Sequence, residues 1–293
     1  MKTTLKNSLA CASLAVASLV SFAPPAQAAQ ITQWSYDLYT RFADPAQNAF
    51  SSGDGSQIQT LGQVSWGDPS GNASTVFRSG SDRSGITIAS IAGANQPDPL
   101  HVSGMYDTDN TASPATGAWI THHNNAIGGS YATLLSSVIR STLKLTAVTP
   151  AGAMLQDTID FTVLFEETEN VSGTCAASSP PGNPCNDIFA LNGDNFNKHL
   201  LIDGYDYYVS IFPTAGPGIV SGSLPFLGSS VCAAANANPN CVGFTTIEGQ
   251  DTSIQFGFTI TSKPIDTNVP EPGTLALFGV ALLGAFATRR RLS

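Results

Sequence analysis

Residues 158–166 read Thr-Ile-Asp-Phe-Thr-Val-Leu-Phe-Glu, and this stretch decides the fold class. Ile159, Phe161, Val163 and Phe165 alternate with Asp160, Thr162, Leu164 and Glu166, so one face is apolar and the other mostly polar. Successive side chains of a strand point to opposite faces, and a half-buried antiparallel strand shows this period of two. Residues 253–261 repeat it with Ile254, Phe256, Phe258 and Ile260, and Ile139, Leu143, Leu145 and Ala147 show the same period around Lys144. Weaker strands are expected at 33–42, 61–66, 85–91, 119–124, 199–202 and 207–212.

Between them lie Gly-, Pro-, Asn- and Asp-rich turns such as Gly53-Asp54-Gly55 and Asp68-Pro69-Ser70-Gly71-Asn72. Charged residues make up only 11% of the chain, which argues against long amphipathic helices. Residues 126–138 are the one place where a short helix is expected. Many short strands separated by turn signals predict an all-β, antiparallel β-sandwich or jelly-roll-like domain. No repeat of fixed period points to a propeller or solenoid.

The two ends read as addresses. Lys2 and Lys6 precede an apolar stretch from Leu9 to Phe22, followed by Pro24, Pro25 and an A-x-A site at Ala26-Gln27-Ala28. This is the pattern of a signal peptide over 1–28, cleaved before Ala29. At the other end Pro270, Glu271 and Pro272 precede an apolar run from Thr274 to Ala287, closed by Arg289, Arg290 and Arg291. The run is shorter than the ~20 residues of a comfortable span, and its arginines would stay on the cytoplasmic side. The expected organisation is a signal peptide, a β-rich extracytoplasmic domain over 29–262, a linker over 263–268 and a sorting segment over 269–293.

Without its ends the chain keeps seven of 12 basic and 20 of 21 acidic residues, a net charge of −13. So acidic a body repels nucleic-acid phosphates and offers no basic stripe to hold them. Of the five cysteines, Cys11 leaves with the signal, and four remain as two close pairs. An even count in an exported chain points to disulfides, and local pairing of Cys175 with Cys185 and Cys232 with Cys241 is the simplest of three connectivities. A four-thiolate zinc site is the alternative, but the tight C-x-x-C knuckles that usually build one are absent.

Residues 269–293 resemble the PEP-CTERM sorting signal, whose hallmarks are met by Pro270, Glu271, Pro272 and the arginine cluster. The resemblance implies processing by an exosortase, transient anchoring in the inner membrane, and a host that makes extracellular polysaccharide. A second resemblance begins at Trp119-Ile120-Thr121-His122-His123-Asn124-Asn125, which looks like the core of the THxN family of PEP-CTERM proteins. Thr121, His122 and Asn124 fill the named positions. Trp34, Val64-Ser65-Trp66-Gly67, Phe165-Glu166-Glu167-Thr168-Glu169-Asn170 and Asp187-Ile188-Phe189 fit the same order. This likeness implies fold and location rather than a reaction.

The residues themselves allow several chemistries. His122 and Asn124 should share one strand face, with Thr121 and His123 on the other. Either Thr121 and Asn124 bond turn backbone while His122 packs beside them, or His122 serves as a metal ligand or general base. The first is the expectation. Asp107-Thr108-Asp109-Asn110 and Asp194, Asp203 and Asp206 could offer oxygens to calcium, but neither set matches a full EF-hand loop. Glu166-Glu167-Thr168-Glu169 could hold paired acids for glycoside hydrolysis, yet directly after a strand they read as a solvated strand end. No G-x-S-x-G elbow, H-E-x-x-H or P-loop is present. No catalytic residue, cofactor or metal is therefore expected. The leading reading is a non-enzymatic surface or matrix protein. A carbohydrate-binding module stacking sugars on Trp34, Trp66, Trp119 or the Tyr205–Tyr208 cluster is the alternative, and a metal-dependent hydrolase using His122 the second.

Overall fold

A computed structural model describes residues 29–44, 46–68, 83–93, 99–170, 174–178, 183–192, 197–217, 225–239 and 241–264. The signal peptide, the sorting segment with its short helix, most of the linker, and Asp194 lie outside the described residues. The strands are β1 (Gln33–Phe42), β2 (Ala49–Phe50), β3 (Ile58–Gln59), β4 (Gln63–Gly67), β5 (Arg83–Ala89), β6 (Leu100–Asp107) and β7 (Ala115–His123). They continue as β8 (Leu134–Thr149), β9 (Ala151–Glu166), β10 (Asp187–Leu191), β11 (Asn197–Ile202) and β12 (Tyr205–Ala215). A short helix α1 (Ser229–Ala234) then precedes β13 (Val242–Thr246) and β14 (Asp251–Thr261).

These strands form two curled antiparallel sheets. One runs β13-β10-β9-β8-β1-β6, with β2 beside β8; the other runs β11-β12-β14-β7-β5-β4-β3. The apolar faces of both contribute to shared clusters, consistent with the expected sandwich. One cluster gathers Phe42, Ile139, Phe165 and Phe189 from the first sheet with Trp66, Ile86 and Ile120 from the second. Another gathers Trp34, Leu38 and Leu145 with Tyr207, Phe258 and Ile260. Each such side chain fully withdrawn from water contributes about 1.5–3 kcal/mol, so these clusters dominate the stability. The long β8–β9 hairpin puts Ile139 opposite Phe161, the register that its apolar faces demand.

The helix expected at 126–138 is absent: residues 124–133 are irregular, and β8 begins at Leu134. Gly128 and Gly129 make a helix costly here, and the Tyr131 amide closes a turn onto the Gly128 carbonyl. From Leu134 onward the chain gains more as a 16-residue strand paired on both sides, with β1 and β9. The helix that does form, α1, covers the outer face of β10 and packs Cys232 against Ile188 and Ala190. Both expected disulfides are present, Cys175–Cys185 and Cys232–Cys241.

Candidate functional site

The inner face of β9 carries Phe161, Val163 and Phe165 toward the core. Strand β10 pairs with it so that Phe189 lies opposite Phe165 and Ile188 opposite Glu166. Continuing that register by one residue brings Glu167 beside Asp187. On the other side of β10, Asp187 pairs with Thr246 of β13. Glu167, Asp187 and Thr246 thus form a polar row across three strands, one step beyond the apolar row of Phe165, Phe189 and Phe244. Directly opposed residues on one face have Cβ atoms about 5 Å apart, so the row is contiguous.

The second sheet closes over this row with Trp66 of β4, His122 of β7 and Asn124 just after it. The Trp66 and His122 rings lie stacked at 6.2 Å, and Phe165 meets them edge-on at 5.1 and 4.8 Å. Trp66 Nε1 donates to Glu167 Oε2 at 3.0 Å. Asn124 Nδ2 donates to the Thr246 carbonyl at 3.3 Å, across 122 residues of sequence. Thr168 donates its amide and its hydroxyl to Asp187 Oδ1, at 2.8 and 3.1 Å.

What these groups leave unmade is more informative. Glu167 Oε1, Asp187 Oδ2, Asn124 Oδ1, Thr246 Oγ1 and both carboxylate oxygens of Glu248 are buried without a hydrogen-bond partner. The expectation of a solvated strand end at Glu166–Glu169 is therefore wrong for Glu167, whose carboxylate is enclosed and tied to Trp66. Burial pushes Asp187 up to about 8; Thr168 pulls it down, while the charges of Glu248 and Glu166 lift it further. Glu167 is held well above the usual carboxylate range by burial first, then by Asp187, and Glu248 is raised by burial. Near neutral pH these acids resist ionising together.

His122, the residue singled out by sequence, is fully buried, and neither ring nitrogen has a partner. Burial, with a smaller push from His123, lowers its pKa to about 3, so the ring is neutral and packs as an aromatic plate. On the opposite face His123 meets Asp251 and Thr87, each at 2.9 Å. Thr121 pairs with the Ser253 hydroxyl at 2.8 Å and accepts from the Gly93 amide at 3.2 Å. Asn124 thus reaches backbone, Thr121 reaches another strand and a loop, and His122 reaches nothing polar.

The remaining candidates disperse. Trp34, Trp66 and Tyr207 are core groups, and the Tyr207 hydroxyl accepts from the Ile31 amide at 2.6 Å. Trp119, Tyr205 and Tyr208 are half-buried. The apolar cavity between the sheets, lined by Leu38, Ile120, Phe161 and Phe256, holds about 40 Å³, far less than a ligand-sized pocket. Asp107 accepts from Gln33, and Asp109 from the backbone and hydroxyl of Ser262, so both tie strand ends. Asp206 faces His199 at 2.7 Å. Among the described residues no three His, Cys, Asp or Glu side chains stand gathered as a metal cluster. Nor, among them, is any helix long and apolar enough to cross a membrane.

Comparison with known families matches residues 268–291 to the PEP-CTERM protein-sorting motif. The motif implies an exported protein, transiently anchored in a membrane and processed by an exosortase. No curated protein matches the chain.

Proposed function

We propose that this chain is a non-enzymatic exported protein of the THxN type, a β-sandwich held at the cell surface or released beside extracellular polysaccharide. The sorting motif at 268–291 carries the reading, since it commits the chain to export and to exosortase processing. An acidic body that limits association between copies, and two disulfides suited to an oxidising compartment, agree with it. The closed surroundings of His122 argue against catalysis there: a general base must come within hydrogen-bond reach of its substrate, and this ring has no exposed surface. Burial of Trp34, Trp66 and Tyr207 removes three of the stacking platforms a carbohydrate module would need.

Intact-mass measurement in a host with and without its exosortase tests the assignment. With the enzyme, the mature protein should begin near Ala29 and lack Arg289–Arg291; without it, the arginine tail should persist in the membrane fraction. A secreted species still carrying residues 273–293 in the competent host would refute exosortase sorting. Recovery of the processed protein only in the washed, polysaccharide-free fraction would refute the matrix placement.

A further inference from the structure

We propose that Thr87 and Gln63 become joined by an ester, formed within the chain by a Thr87–His123–Asp251 relay on the outer face of the second sheet. His123 of β7 lies between a hydroxyl and a carboxylate. Its Nδ1 is 2.9 Å from Asp251 Oδ2 of β14, and its Nε2 is 2.9 Å from Thr87 Oγ1 of β5. An ionised carboxylate only accepts, so Nδ1 carries the proton and Nε2 accepts from the Thr87 hydroxyl. A hydroxyl bonded to an imidazole that a carboxylate orients is the arrangement of an activated oxygen nucleophile. Strand register builds it. Asp251 and Gly85 both lie opposite His123, and Gly85, having no side chain, lets the ring lean along β5 toward Thr87.

Burial decides what such a nucleophile can attack. Thr87 and His123 are 0% exposed, so no outside substrate reaches them and the acyl group must come from the chain itself. Gln63 of β4, 3% exposed, lies directly opposite Thr87. The Ile88 amide donates to the Gly62 carbonyl at 2.8 Å, which makes residues 62 and 88 a hydrogen-bonded pair. Pairs alternate along an antiparallel ladder, so Gln63 and Thr87 are the closer, non-hydrogen-bonded kind, with Cα atoms about 4.5 Å apart. Gln63 Nε2 donates to Ser65 Oγ at 3.1 Å. Arg83 donates to the same oxygen from Nε and Nη2, at 3.1 and 3.0 Å, which fixes it as an acceptor.

Thr87 Oγ1 bonds to Gln63 Cδ while His123 Nε2 takes the hydroxyl proton. Collapse of the tetrahedral adduct breaks the Cδ–Nε2 bond, the proton on His123 passes to the departing nitrogen, and ammonia leaves. No oxidant, metal or second molecule enters the balance, and exclusion of water protects the ester once formed. The event occurs once per chain and clamps β4 to β5, turning over no substrate, so it agrees with a non-enzymatic surface protein. It does not rest on the sorting assignment, and its failure would leave that assignment standing.

The test uses the full mature chain purified after export, with its disulfides reduced. Its intact mass should fall short of the sequence by one ammonia, about 17 Da. Trypsin cuts after Arg41, Arg78, Arg83 and Arg140, so residues 42–78 and 84–140 should emerge as one joined peptide. Mild alkali should separate them, as it does an ester and not an amide. Thr87→Val and Gln63→Met should each restore the full mass with an unchanged circular dichroism spectrum, and Thr87→Ser should keep the peptides joined. Asp251, 48% exposed, is a positioning residue that acts through His123. In Asp251→Asn the joined fraction should form at least about 100-fold more slowly, and Asp251→Glu should restore it. Full mass in the wild type, loss of ammonia without joining of these two peptides, or joining that persists in Thr87→Val would overturn the proposal. Joining at the wild-type rate in Asp251→Asn would overturn the relay.

Discussion

Raising the pH from 6.5 to 8 should destabilise this protein, the reverse of what salt-bridged carboxylates usually give. Asp187 carries the effect. Its ordinary pKa is near 3.8, and the fold lifts it to about 8. The folded state therefore keeps a proton that the unfolded chain releases, and unfolding is favoured as pH rises through that interval. Stability is full below pH 4 and falls by about 1.4 kcal/mol per pH unit until the folded pKa is passed. Glu167, raised for the same reasons, contributes with the same sign.

His122 opposes them over part of the range. Its folded pKa of about 3 lies below the ordinary 6.5, so the unfolded chain takes up a proton that the folded one refuses. That contribution is present above pH 6.5 and is lost as pH falls toward 3. Between pH 4 and 6.5 the slopes of His122 and Asp187 have opposite signs and largely cancel. Between 6.5 and 8 His122 is silent, and Asp187 removes about 2 kcal/mol, with Glu167 acting in the same direction. Asp160, held low by its bond to Arg140, acts only below its ordinary pKa of 3.8 and does not enter. Urea unfolding at half-unit pH steps should show a decline that steepens above pH 6.5, where His122 no longer offsets the buried acids. Asp187→Asn should flatten the upper limb, and His122→Leu should extend the decline to lower pH. A stability that rises from pH 6.5 to 8 in the wild type would refute the buried-acid reasoning.

His122→Ala should cost about 2–4 kcal/mol by leaving a void between Trp66 and Phe165. His122→Leu should cost under about 1.5 kcal/mol, since the ring makes no hydrogen bond to lose; chemical denaturation of the pair separates packing from polar roles. Removing either disulfide opens a loop spanning 10 or nine residues, worth roughly 2.5–3 kcal/mol in the chain-entropy model. The loss should be larger for Cys232–Cys241, because both of its sulfurs are packed in the core beneath α1, and calorimetry of the two double Cys→Ala variants ranks them.

The strands easiest to read in the sequence are those that bury only one face. β9 and β14 alternate cleanly because solvent sets the composition of their other side. β10 is buried along its whole length: its inner face meets Phe165 and Phe244, its outer face α1, so Ile188, Phe189, Ala190 and Leu191 carry no period to detect. Residues 126–138 misled because Leu134, Leu135, Val138 and Ile139 fit a helical spacing as well as an extended one. Pairing with β1 and β9 settled the choice, and sequence alone does not display those partners.

The polar end shows the same division more sharply. One signal was available and points inward: the alternation Ile159, Phe161, Val163, Phe165, carried one step further, puts Glu167 and not Glu166 on the apolar face. A glutamate at the end of a run of core positions is costly unless something meets it, and that cost marks the residue. Thr246 and Glu248 gave no such mark. They reach the site only because β13 pairs with β10 in the register that sets Thr246 against Asp187. Slipping that register by one residue would turn Thr246 outward and bring Thr245 in, dispersing the oxygens while leaving the strand composition unchanged. The chemistry of this end therefore resides in the pairing of β9, β10 and β13.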